Sequence, residues 1–479
     1  MRRVAEPVGS ESEHLVHADF TGGRAGTAPV TWGQRSMWWT MDDFRSRNSF
    51  LNLCRVVTVP RRSPADVPHV AEVIGTLVTR HESLRTRVRP VDGELRQEAY
   101  ASGRLPLLVV DADARRTDDP DGPDDDGAGL AAQVCERLGR VPFDHTEEWP
   151  LRVALVVVGG RVRRIVLVLS HSTVDFHATE TVLRDLRLLL VRGRIDTPPG
   201  LQSIDLARRE AGAQRRRSDR AISYWTKQFG SLPEGGFAAT GPAHTPRYRG
   251  LTMVSEAVDL ASRMIAARHR VSTSTVLLAA TAALTVGGDE ALRCGLVSMA
   301  NNRFQPGHDD AVAKLNQLAL IAVDLADRPS FAGLLPRAGQ AAMDGYRHAY
   351  YDPPAMRRAF GELGLDYLTM LGPYCLVNDI RLPGDPGAAG PDLDERALRA
   401  TLTRTTLTWS EPANKFVWRC RLQMVDAPRA VGLVLTIDTC YLPPDRAVAL
   451  LHDMEELLVR AAVDEVPWPW RPGGGVATP

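Results

Sequence analysis

A histidine and an aspartate four residues apart stand at the end of a strand-like segment of the chain. The segment reads IVLVLSHSTVDFHATE, so its apolar run stops at Ser170 and is followed by His171 and Asp175. Strand ends in α/β folds are where side chains emerge into clefts. Because the pKa of an imidazole is close to neutrality, His171 is a candidate to take a proton from an attacking nucleophile and return it to a leaving group.

The residues alone leave three interpretations of this stretch open. In the first, Ser172, Thr173 and Asp175 form a polar turn that caps the following helix. In the second, His171, Asp175 and His177 hold a metal ion, but nothing nearby supplies a fourth ligand at a characteristic spacing, and we expect no metal. In the third, the group serves acyl transfer, and no GxSxG motif is present to indicate an acyl-enzyme.

The predicted strand, turn and helix around these residues explain how they are positioned. Two β-rich runs, PLRVALVVV and RVRRIVLVLS, are joined by Gly159-Gly160, which is a hairpin signal. After His177 the segment ATETVLRDLRLLLVRG has helical periodicity. Its apolar stripe consists of Val182, Leu183, Leu186, Leu189 and Leu190. We therefore expect His171 near the end of a strand and Asp175 near the start of a helix.

Size, charge and cysteine spacing exclude several classes of protein. At 479 residues the chain exceeds one ordinary core, so we expect two domains or a large two-lobed unit. Basic and acidic residues balance at 58 each, which leaves no net charge to hold nucleic acid or an anionic membrane. No stretch approaches the roughly 20 apolar residues that cross a bilayer, and no signal peptide is evident. We expect a soluble, cytoplasmic protein whose six separated cysteines form neither a zinc knuckle nor a disulfide framework.

Strand-like and helical segments recur along most of the chain and predict an α/β (α+β) fold. The predicted organisation has four parts: a flexible leader over residues 1–28, an N-terminal lobe over 29–205 that carries SHSTVDF, a C-terminal lobe over 206–465 with a crossover loop, and a flexible tail over 466–479. A tract rich in Asp, Gly and Pro, over residues 111–129, predicts a solvated loop inside the N-terminal lobe.

The segment SHSTVDF resembles the HHxxxDG signature of the condensation domains of nonribosomal peptide synthetases, which belong to the chloramphenicol-acetyltransferase-like acyltransferases. Other segments resemble further motifs of the family in the family's order: VTWGQRSMWW, RHESLRTRV, VPFDHTEEWPLRVALV, SYWTKQFGSLP, LVSMANNR and KLNQLALIAVDL. The family form of the last of these reads FVNTLPLR. The similarity spans roughly residues 29–462.

This resemblance implies a V-shaped pseudo-dimer of two lobes, each a mixed sheet backed by helices, with a tunnel between them. Donor and acceptor would enter from opposite faces as thioesters on the phosphopantetheine arms of carrier proteins. No cofactor would be bound permanently, because 4'-phosphopantetheine is supplied on a peptidyl or acyl carrier protein. The acceptor would be a small-molecule amine or alcohol, either free or carrier-bound.

The resemblance also implies roles for individual residues. His171 matches the second His of the signature, which acts on the acceptor nucleophile. Asp175 matches the signature Asp, which is regarded as structural and paired with an Arg, and Arg303 in LVSMANNR is the candidate partner. The alternative for Arg303 is a solvated surface position. Asn316 and Trp409 are candidates to line the tunnel or bind substrate, with a core position as the alternative for Trp409.

The chain departs from the signature at two positions. Ser170 stands where the family has its first His, and it still offers a small polar group. Phe176 stands where the family has Gly, and it places a benzyl group where the backbone turns tightly or a substrate arm passes. Such a ring would narrow the acceptor side of the tunnel or close it.

The leading hypothesis is a free-standing condensation enzyme, an acyltransferase of nonribosomal peptide or related natural-product biosynthesis. It would join a carrier-bound acyl or aminoacyl donor to an amine or alcohol and form an amide or an ester. No adenylation domain or carrier motif is recognisable, so activated donors would come from separate proteins. One alternative is a catalytically degenerate docking or recruitment protein. The other is a protein of this fold that uses an acyl-CoA donor, as an acyl-CoA-dependent acyltransferase, or that performs epimerisation or cyclisation. The presence together of His171, Asp175 and Arg303 favours the enzyme.

Overall fold

The computed structural model describes residues 12–470 except for 44–47, 113–125, 234, 287–290, 368, 382–393 and 411–417. The chain divides into two compact units, the first of Met1–Arg215 with Asn301–Gln317 and the second of Arg216–Ala300 with Leu318–Pro479. Each unit is a mixed α/β unit in which sheets are backed by helices. The predicted fold class is confirmed in this respect. The V-shaped arrangement and the tunnel stay predictions.

The first unit contains two sheets and five α-helices among its described residues. Its strands are β1 (Glu13–Phe20), β2 (Gly26–Pro29), β3 (Leu53–Thr58), β4 (Thr86–Val91), β5 (Glu94–Ala99), β6 (Gly103–Asp111), β7 (Leu151–Val158) and β8 (Arg161–Leu169). Its helices are α1 (Trp32–Asp43), α2 (Val67–Arg80), α3 (Ala128–Gly139), α4 (Phe176–Arg192) and α5 (Ser203–Ala211). The larger sheet has the strand order β1-β6-β7-β8-β3, and the smaller sheet has the order β2-β5-β4.

Strand β8, which leads to the candidate site, is buried on both faces over its second half. Leu167 and Leu169 join an apolar cluster with α2 and α4, while Val166 and Val168 join a second cluster with α3. A strand covered on both faces has a continuous apolar sequence, which is why IVLVL shows no alternation. The strand is therefore fixed in register at the point where it delivers the signature residues.

The predicted hairpin and helix around the signature are confirmed. Strands β7 and β8 pair antiparallel, and both Gly159 and Gly160 have positive φ, as a two-residue hairpin turn requires. Helix α4 ends at Arg192 and is capped by Gly193, whose φ of 70° lies in the left-handed region. The predicted apolar stripe is buried over its whole length; its members are Val182, Leu183, Leu186, Leu189 and Leu190.

The prediction of a flexible leader over residues 1–28 is wrong for its second half. Strand β1 pairs antiparallel with β6 and buries Ala18 and Phe20, and β2 pairs with β5. The strand signal was hidden because β1 lies at the edge of the sheet and keeps His14 and His17 exposed. Residues 1–11 of the predicted leader lie outside the described residues.

The second unit is built on one seven-stranded sheet. Its strands are β9 (Tyr248–Ser255), β10 (Arg293–Ala300), β11 (Gln317–Asp324), β12 (Cys375–Asp379), β13 (Thr406–Trp409), β14 (Cys420–Ala427) and β15 (Ala430–Asp438), in the order β11-β10-β12-β14-β15-β9-β13. Its helices are α6 (Arg215–Phe229), α7 (Glu256–His269), α8 (Thr273–Thr285), α9 (Phe331–Arg347), α10 (Pro353–Glu362), α11 (Glu395–Ala400) and α12 (Pro444–Val463). Helices α7, α8, α9 and α12 supply much of the apolar core against this sheet. None of the described helices combines the length and the apolar composition that a bilayer crossing needs.

The predicted boundaries of the two lobes and of the tail need correction. The lobe boundary at 205/206 falls inside α5, and Asn301–Gln317 belongs to the first unit because it packs around the signature turn. The predicted flexible tail is wrong for residues 466–470. Val466 and Trp470 are buried, and the Trp470 indole donates a hydrogen bond to the Pro329 carbonyl at 3.1 Å. Residues 471–479 of that tail and residues 113–125 of the predicted acidic loop lie outside the described residues.

The packing of strand β1 against helix α2 can be tested by substitution of Gly75 in α2. A Cβ built at Gly75 would overlap the carbonyl oxygen of Asp19 in β1. We expect Gly75→Ala to lower the free energy of unfolding by about 1–3 kcal/mol, the usual cost of overpacking. Urea denaturation measures the change.

Gly361→Ala is the matched control, because a Cβ at Gly361 in α10 meets no atom within 4 Å. The control should leave stability unchanged or raise it by up to about 1 kcal/mol, since Ala is the better helix former. Equal stability of Gly75→Ala and the wild-type protein would contradict the docking of β1 against α2.

Candidate functional site

The turn between β8 and α4 is closed by backbone hydrogen bonds at both ends. The Ser170 N–H donates to the Pro150 carbonyl at 2.9 Å, which ties the start of the turn to the residue before β7. The Ser170 carbonyl in turn accepts from the N–H groups of Thr173 and Val174 at 3.0 and 3.3 Å. His171 therefore stands on a compact turn whose backbone is hydrogen-bonded within itself and to the residue before β7.

Asp175 lies at the end of this turn and is the N-cap of α4. Its Oδ1 accepts hydrogen bonds from the Ala178 N–H at 2.8 Å and from Arg303 Nη2 at 2.7 Å. Its Oδ2 accepts from the N–H groups of Leu315 and Asn316 at 3.0 and 3.1 Å. The residue is 1% exposed. The buried Asp175 carboxylate therefore both caps helix α4 and pairs with Arg303.

Arg303 lies in a buried cage of carbonyl oxygens. It is 4% exposed, so its alternative placement on the solvated surface is wrong. Its Nη1 donates to the carbonyls of His308 and Ala311 at 2.9 and 2.8 Å, and its Nη2 also approaches the Ala313 carbonyl at 3.3 Å. The segment from 301 to 317 thus wraps around the guanidinium and holds it against Asp175.

The pKa of the Asp175 carboxyl is set by two opposed effects. Burial by itself raises that pKa because it disfavours the charged form. The Arg303 charge and the hydrogen bonds from Ala178 and Leu315 outweigh burial and hold the pKa below its ordinary value. Asp175 is therefore a carboxylate at neutral pH, and it is a structural anion rather than a proton carrier.

His171 has one ring nitrogen fixed and the other unused. Its Nδ1 lies 2.7 Å from the Val174 carbonyl, and because a carbonyl only accepts, Nδ1 must carry the proton. Nε2 then holds a lone pair, and no described residue makes a hydrogen bond to it. Burial, followed by the charge of Lys314, lowers the pKa of His171 to about 4. The ring is partly exposed and neutral at pH 7, as a general base must be.

Lys314 is a buried cation that sequence reasoning missed. It is 2% exposed, and its Nζ donates to the Asn316 carbonyl at 2.6 Å. Burial lowers the pKa of Lys314 to about 8, against the opposing effect of the Asp175 charge. The sequence did contain one signal for Lys314, which was a charged residue within an apolar segment. The chain has only two other lysines, Lys227 and Lys415.

Ser170 is buried in a small polar network. Its Oγ lies 2.6 Å from His145 Nε2 and 2.8 Å from Ser172 Oγ, and it also accepts from the Ser172 N–H at 3.2 Å. Burial lowers the pKa of His145 to about 4. Sequence reasoning missed His145, whose ring fills space beside the small Ser170 side chain. The resembling signature has its first His directly before the residue that matches His171. This chain has Ser170 there, and the imidazole that contacts Ser170 comes from His145, 25 residues earlier in the chain.

Phe176 occupies the first position of α4 without backbone strain. It is not among the described residues with positive φ, so the tight turn anticipated for a glycine at this position does not occur. The ring is partly exposed, and the Arg55 guanidinium lies 5.2 Å from its centroid. Arg55 in turn contacts Glu180 at 3.4 Å. Phe176 therefore changes the surface beside the signature and not the path of the chain.

The other two predicted site residues lie in different units. Asn316 is joined to Asp175 through its backbone, and its side-chain Oδ1 is buried without a hydrogen-bond partner among the described residues. Trp409 is in β13 of the second unit, where it packs against the core and the Arg249 guanidinium lies 3.9 Å from its ring centroid. The first unit thus brings together all the predicted site residues except Trp409.

The metal-site interpretation has no geometric support in the described part of the chain. No group of three or more His, Cys, Asp and Glu residues there is arranged to hold a metal ion. Asp175 uses both carboxylate oxygens for hydrogen bonds within the protein, and His171 directs Nδ1 to a carbonyl. The polar groups of the turn are engaged in hydrogen bonds within the protein.

Comparison with known proteins identifies related sequences. A family model described as "Condensation domain" matches residues 24–361. A probable non-canonical nonribosomal peptide synthetase of Salinispora arenicola is 28% identical over 343 residues, which is 67% of this chain and 4% of that protein. The isonitrile lipopeptide synthase of Mycobacterium tuberculosis is 26% identical over 345 residues, 68% of this chain and 13% of that protein. The chain therefore spans only a small part of the length of these curated relatives.

Solved structures with the same fold cover nearly the whole chain. One, described as the molecular basis for condensation domain-mediated chain release from the enacyloxin polyketide synthase, has a TM-score of 0.67 at 18% identity and covers 91% of this chain and 83% of its own. The complex of the X-domain and OxyB from teicoplanin biosynthesis has a TM-score of 0.63 at 16% identity over 92% and 94% of the two chains. The starter condensation domain of rhizomide synthetase with C8-CoA has a TM-score of 0.64 at 15% identity over 91% and 95%.

Removal of the Asp175 charge should destabilise the first unit strongly. Asp175→Asn leaves the Arg303 guanidinium buried without an anion, which typically costs about 3–5 kcal/mol. Because the folded pKa of Asp175 is depressed, its stabilisation is present above the ordinary Asp pKa of about 3.9 and is lost as pH falls through the folded value. Urea denaturation at pH 7 and in acid should show the difference between mutant and wild type shrinking toward low pH.

Asp196→Asn is the matched control. Asp196 pairs with Arg194 at 3.1 Å, and both side chains are 79% exposed. The control should change stability by less than about 0.5 kcal/mol at either pH. Equally small effects of the two substitutions would mean that Asp175 and Arg303 do not form a buried pair.

Proposed function

The chain belongs to the condensation-domain family, and from this premise we propose that it is an acyltransferase that joins a carrier-bound acyl or aminoacyl donor to an amine or alcohol. The donor is a phosphopantetheinyl thioester on a peptidyl or acyl carrier protein. The product is an amide or an ester in nonribosomal peptide or related natural-product biosynthesis. The curated relatives named above are peptide synthetases, which supports this class of reaction.

One observation carries the proposal: a neutral imidazole with a fixed Nδ1–H and an unused Nε2. The hydrogen bond from Nδ1 to the Val174 carbonyl sets both the tautomer and the direction of the ring. The lowered pKa keeps Nε2 unprotonated at pH 7. A group in this state takes a proton from a nucleophile without first having to lose one of its own.

The reaction needs no covalent intermediate on the protein. The acceptor nitrogen or oxygen attacks the thioester carbonyl, and the new C–N or C–O bond forms as His171 Nε2 takes the proton of the nucleophile. The tetrahedral intermediate collapses with cleavage of the C–S bond, and the proton passes to the phosphopantetheine sulfur. The thioester is already activated, so the main contributions are alignment of the two substrates and one positioned base. The closed hydrogen-bond network around Ser170 Oγ agrees with a route that uses no serine nucleophile.

Recruitment without catalysis is the second candidate function. A structure of the same fold is described as a complex of the X-domain with OxyB, so this architecture also serves protein binding. The partly exposed Phe176 beside the signature and the buried Ser170 favour such a role for this chain. A third candidate, a CoA thioester donor, is supported by the neighbour in complex with C8-CoA. Turnover assays with carrier-bound and CoA-bound donors separate the three.

We expect His171→Ala to lower the rate of product formation about 10²- to 10⁴-fold, the usual contribution of a positioned general base. The assay follows amide or ester formation by mass spectrometry with a loaded carrier protein and an amine or alcohol acceptor. His177→Ala is the matched control, since His177 is exposed and lies six residues further along the same turn and helix. Unchanged turnover of His171→Ala would end the general-base assignment. A native protein inactive with every donor class would favour recruitment.

The pH dependence of kcat/KM gives a separate check. Protonation of Nε2 removes the base, and the pKa of His171 is lowered to about 4, so activity should persist from neutral pH down to about pH 5 and fall below it. Rates are to be corrected for the ionisation of an amine acceptor or measured with an alcohol. An acidic limb near 6.5, the ordinary pKa of His, would show that the reacting imidazole is not His171.

A further inference from the structure

Lys314 is a buried ammonium group without an anionic partner in the described part of the chain. It forms no ion pair within 4.0 Å there, and its one hydrogen bond runs to the uncharged Asn316 carbonyl. An ammonium has three N–H donors, so two of them remain unused. A buried charge in this condition costs several kcal/mol unless a counter-charge is supplied.

The neighbouring groups of the first unit cannot supply that counter-charge. Asp175 interacts with Lys314 electrostatically, but both of its oxygens already accept two hydrogen bonds each and its charge is matched by Arg303. His171 is neutral, and protonation would add a second positive charge. The buried groups around the signature turn therefore carry one positive charge in excess, which calls for an anion from outside this cluster.

Two residues that interact with Lys314, Asn316 through its carbonyl and His171 electrostatically, each have a polar atom without a partner among the described residues. Asn316 Oδ1 is buried and accepts no hydrogen bond from the described residues, and His171 Nε2 is likewise unused. The site thus presents a cation with free donors together with two free acceptors. A molecule that carries both a carboxylate and an N–H or O–H group is complementary to this set.

We propose that Lys314 binds a carboxylate of the acceptor, so that the acceptor is an amine or alcohol with a free carboxylate, of which an amino acid is the simplest kind. This inference rests on the proposed function for the choice of the acceptor as the ligand. A transient oxyanion would offset the charge of Lys314 only during the reaction, whereas a carboxylate offsets it in the bound ground state. Lys314 also stands where the family form FVNTLPLR has Phe, so the chemistry common to the family does not require a cation at this position.

Direct binding can be tested independently of turnover, because the chain has only three lysines. Protein labelled with ¹³C at lysine Cε gives three signals, and the one absent from Lys314→Met belongs to Lys314. The probes are glycine, β-alanine and 4-aminobutyrate, with propylamine as the control that lacks a carboxylate. We expect at least one of the three amino acids to raise the titration midpoint of Lys314 from about 8, while propylamine does not. No shift with any of the three would overturn the proposal.

Acceptor selectivity provides the second arm of the experiment. With a loaded carrier protein, the ratio of kcat/KM for the best carboxylate acceptor to that for its decarboxylated analogue is measured in wild type, Lys314→Met and Lys227→Met. The ratio should fall about 10- to 100-fold in Lys314→Met, the range expected for loss of a charge-assisted hydrogen bond. Lys227 is exposed on α6, so Lys227→Met should keep the wild-type ratio. An equal loss with both acceptors would assign Lys314 to the oxyanion and overturn the carboxylate assignment.

The two arms separate failure of this inference from failure of the proposed function. If His171→Ala abolishes turnover and leaves the Lys314 signal responsive to the carboxylate probe, the acyl-transfer function and the carboxylate site are both supported. If the native protein shows no turnover but the Lys314 signal responds, the carboxylate site stands and the acyl transfer does not. The third outcome is that turnover depends on His171, the Lys314 signal does not respond to the amino acids, and Lys314→Met leaves the acceptor selectivity unchanged. This outcome would refute the carboxylate site alone.

Discussion

A single buried carboxylate, that of Asp175, determines the geometry of the candidate site. It joins three separate parts of the first unit: the start of α4 through Ala178, the guanidinium of Arg303, and the backbone of Leu315 and Asn316. The Asp175 side chain is buried, so its hydrogen bonds are largely removed from competition with bulk water. These contacts help to hold the segment from 301 to 317 in the first unit, although the sequence on either side of it belongs to the second.

The chemistry of His171 follows from that arrangement. The turn fixed by Asp175 places the Val174 carbonyl beside Nδ1, which leaves Nε2 as the only site for a proton. The peptide whose N–H group bonds to Asp175 also links Lys314 to Leu315. Burial, followed by the positive charge of Lys314, disfavours protonation of the His171 ring. The tautomer therefore follows from the turn, and the protonation state follows mainly from burial.

Local patterns in the sequence predicted the parts of the fold that depend on local interactions. The hairpin at Gly159-Gly160 and the apolar stripe of α4 follow from turn chemistry and periodicity, and the pairing of Asp175 with Arg303 was implied by the family resemblance. Strand β1 was missed because an edge strand with exposed histidines shows little apolar alternation. His145 was missed because its contact with Ser170 joins residues 25 positions apart, which no short window of sequence contains. For Lys314 the local sequence showed only a lysine within an apolar segment, and its electrostatic interaction with Asp175 is not visible there.

The proposed chemistry requires His171 to be a neutral imidazole protonated on Nδ1 and open at Nε2. Nitrogen-15 NMR of histidine-labelled protein at pH 7 measures this state directly, with the His171 signals identified by their absence from His171→Ala. We expect one protonated nitrogen, Nδ1, coupled to a slowly exchanging proton, and one unprotonated nitrogen, Nε2. A doubly protonated ring at pH 7, or a proton on Nε2 in place of Nδ1, would contradict it.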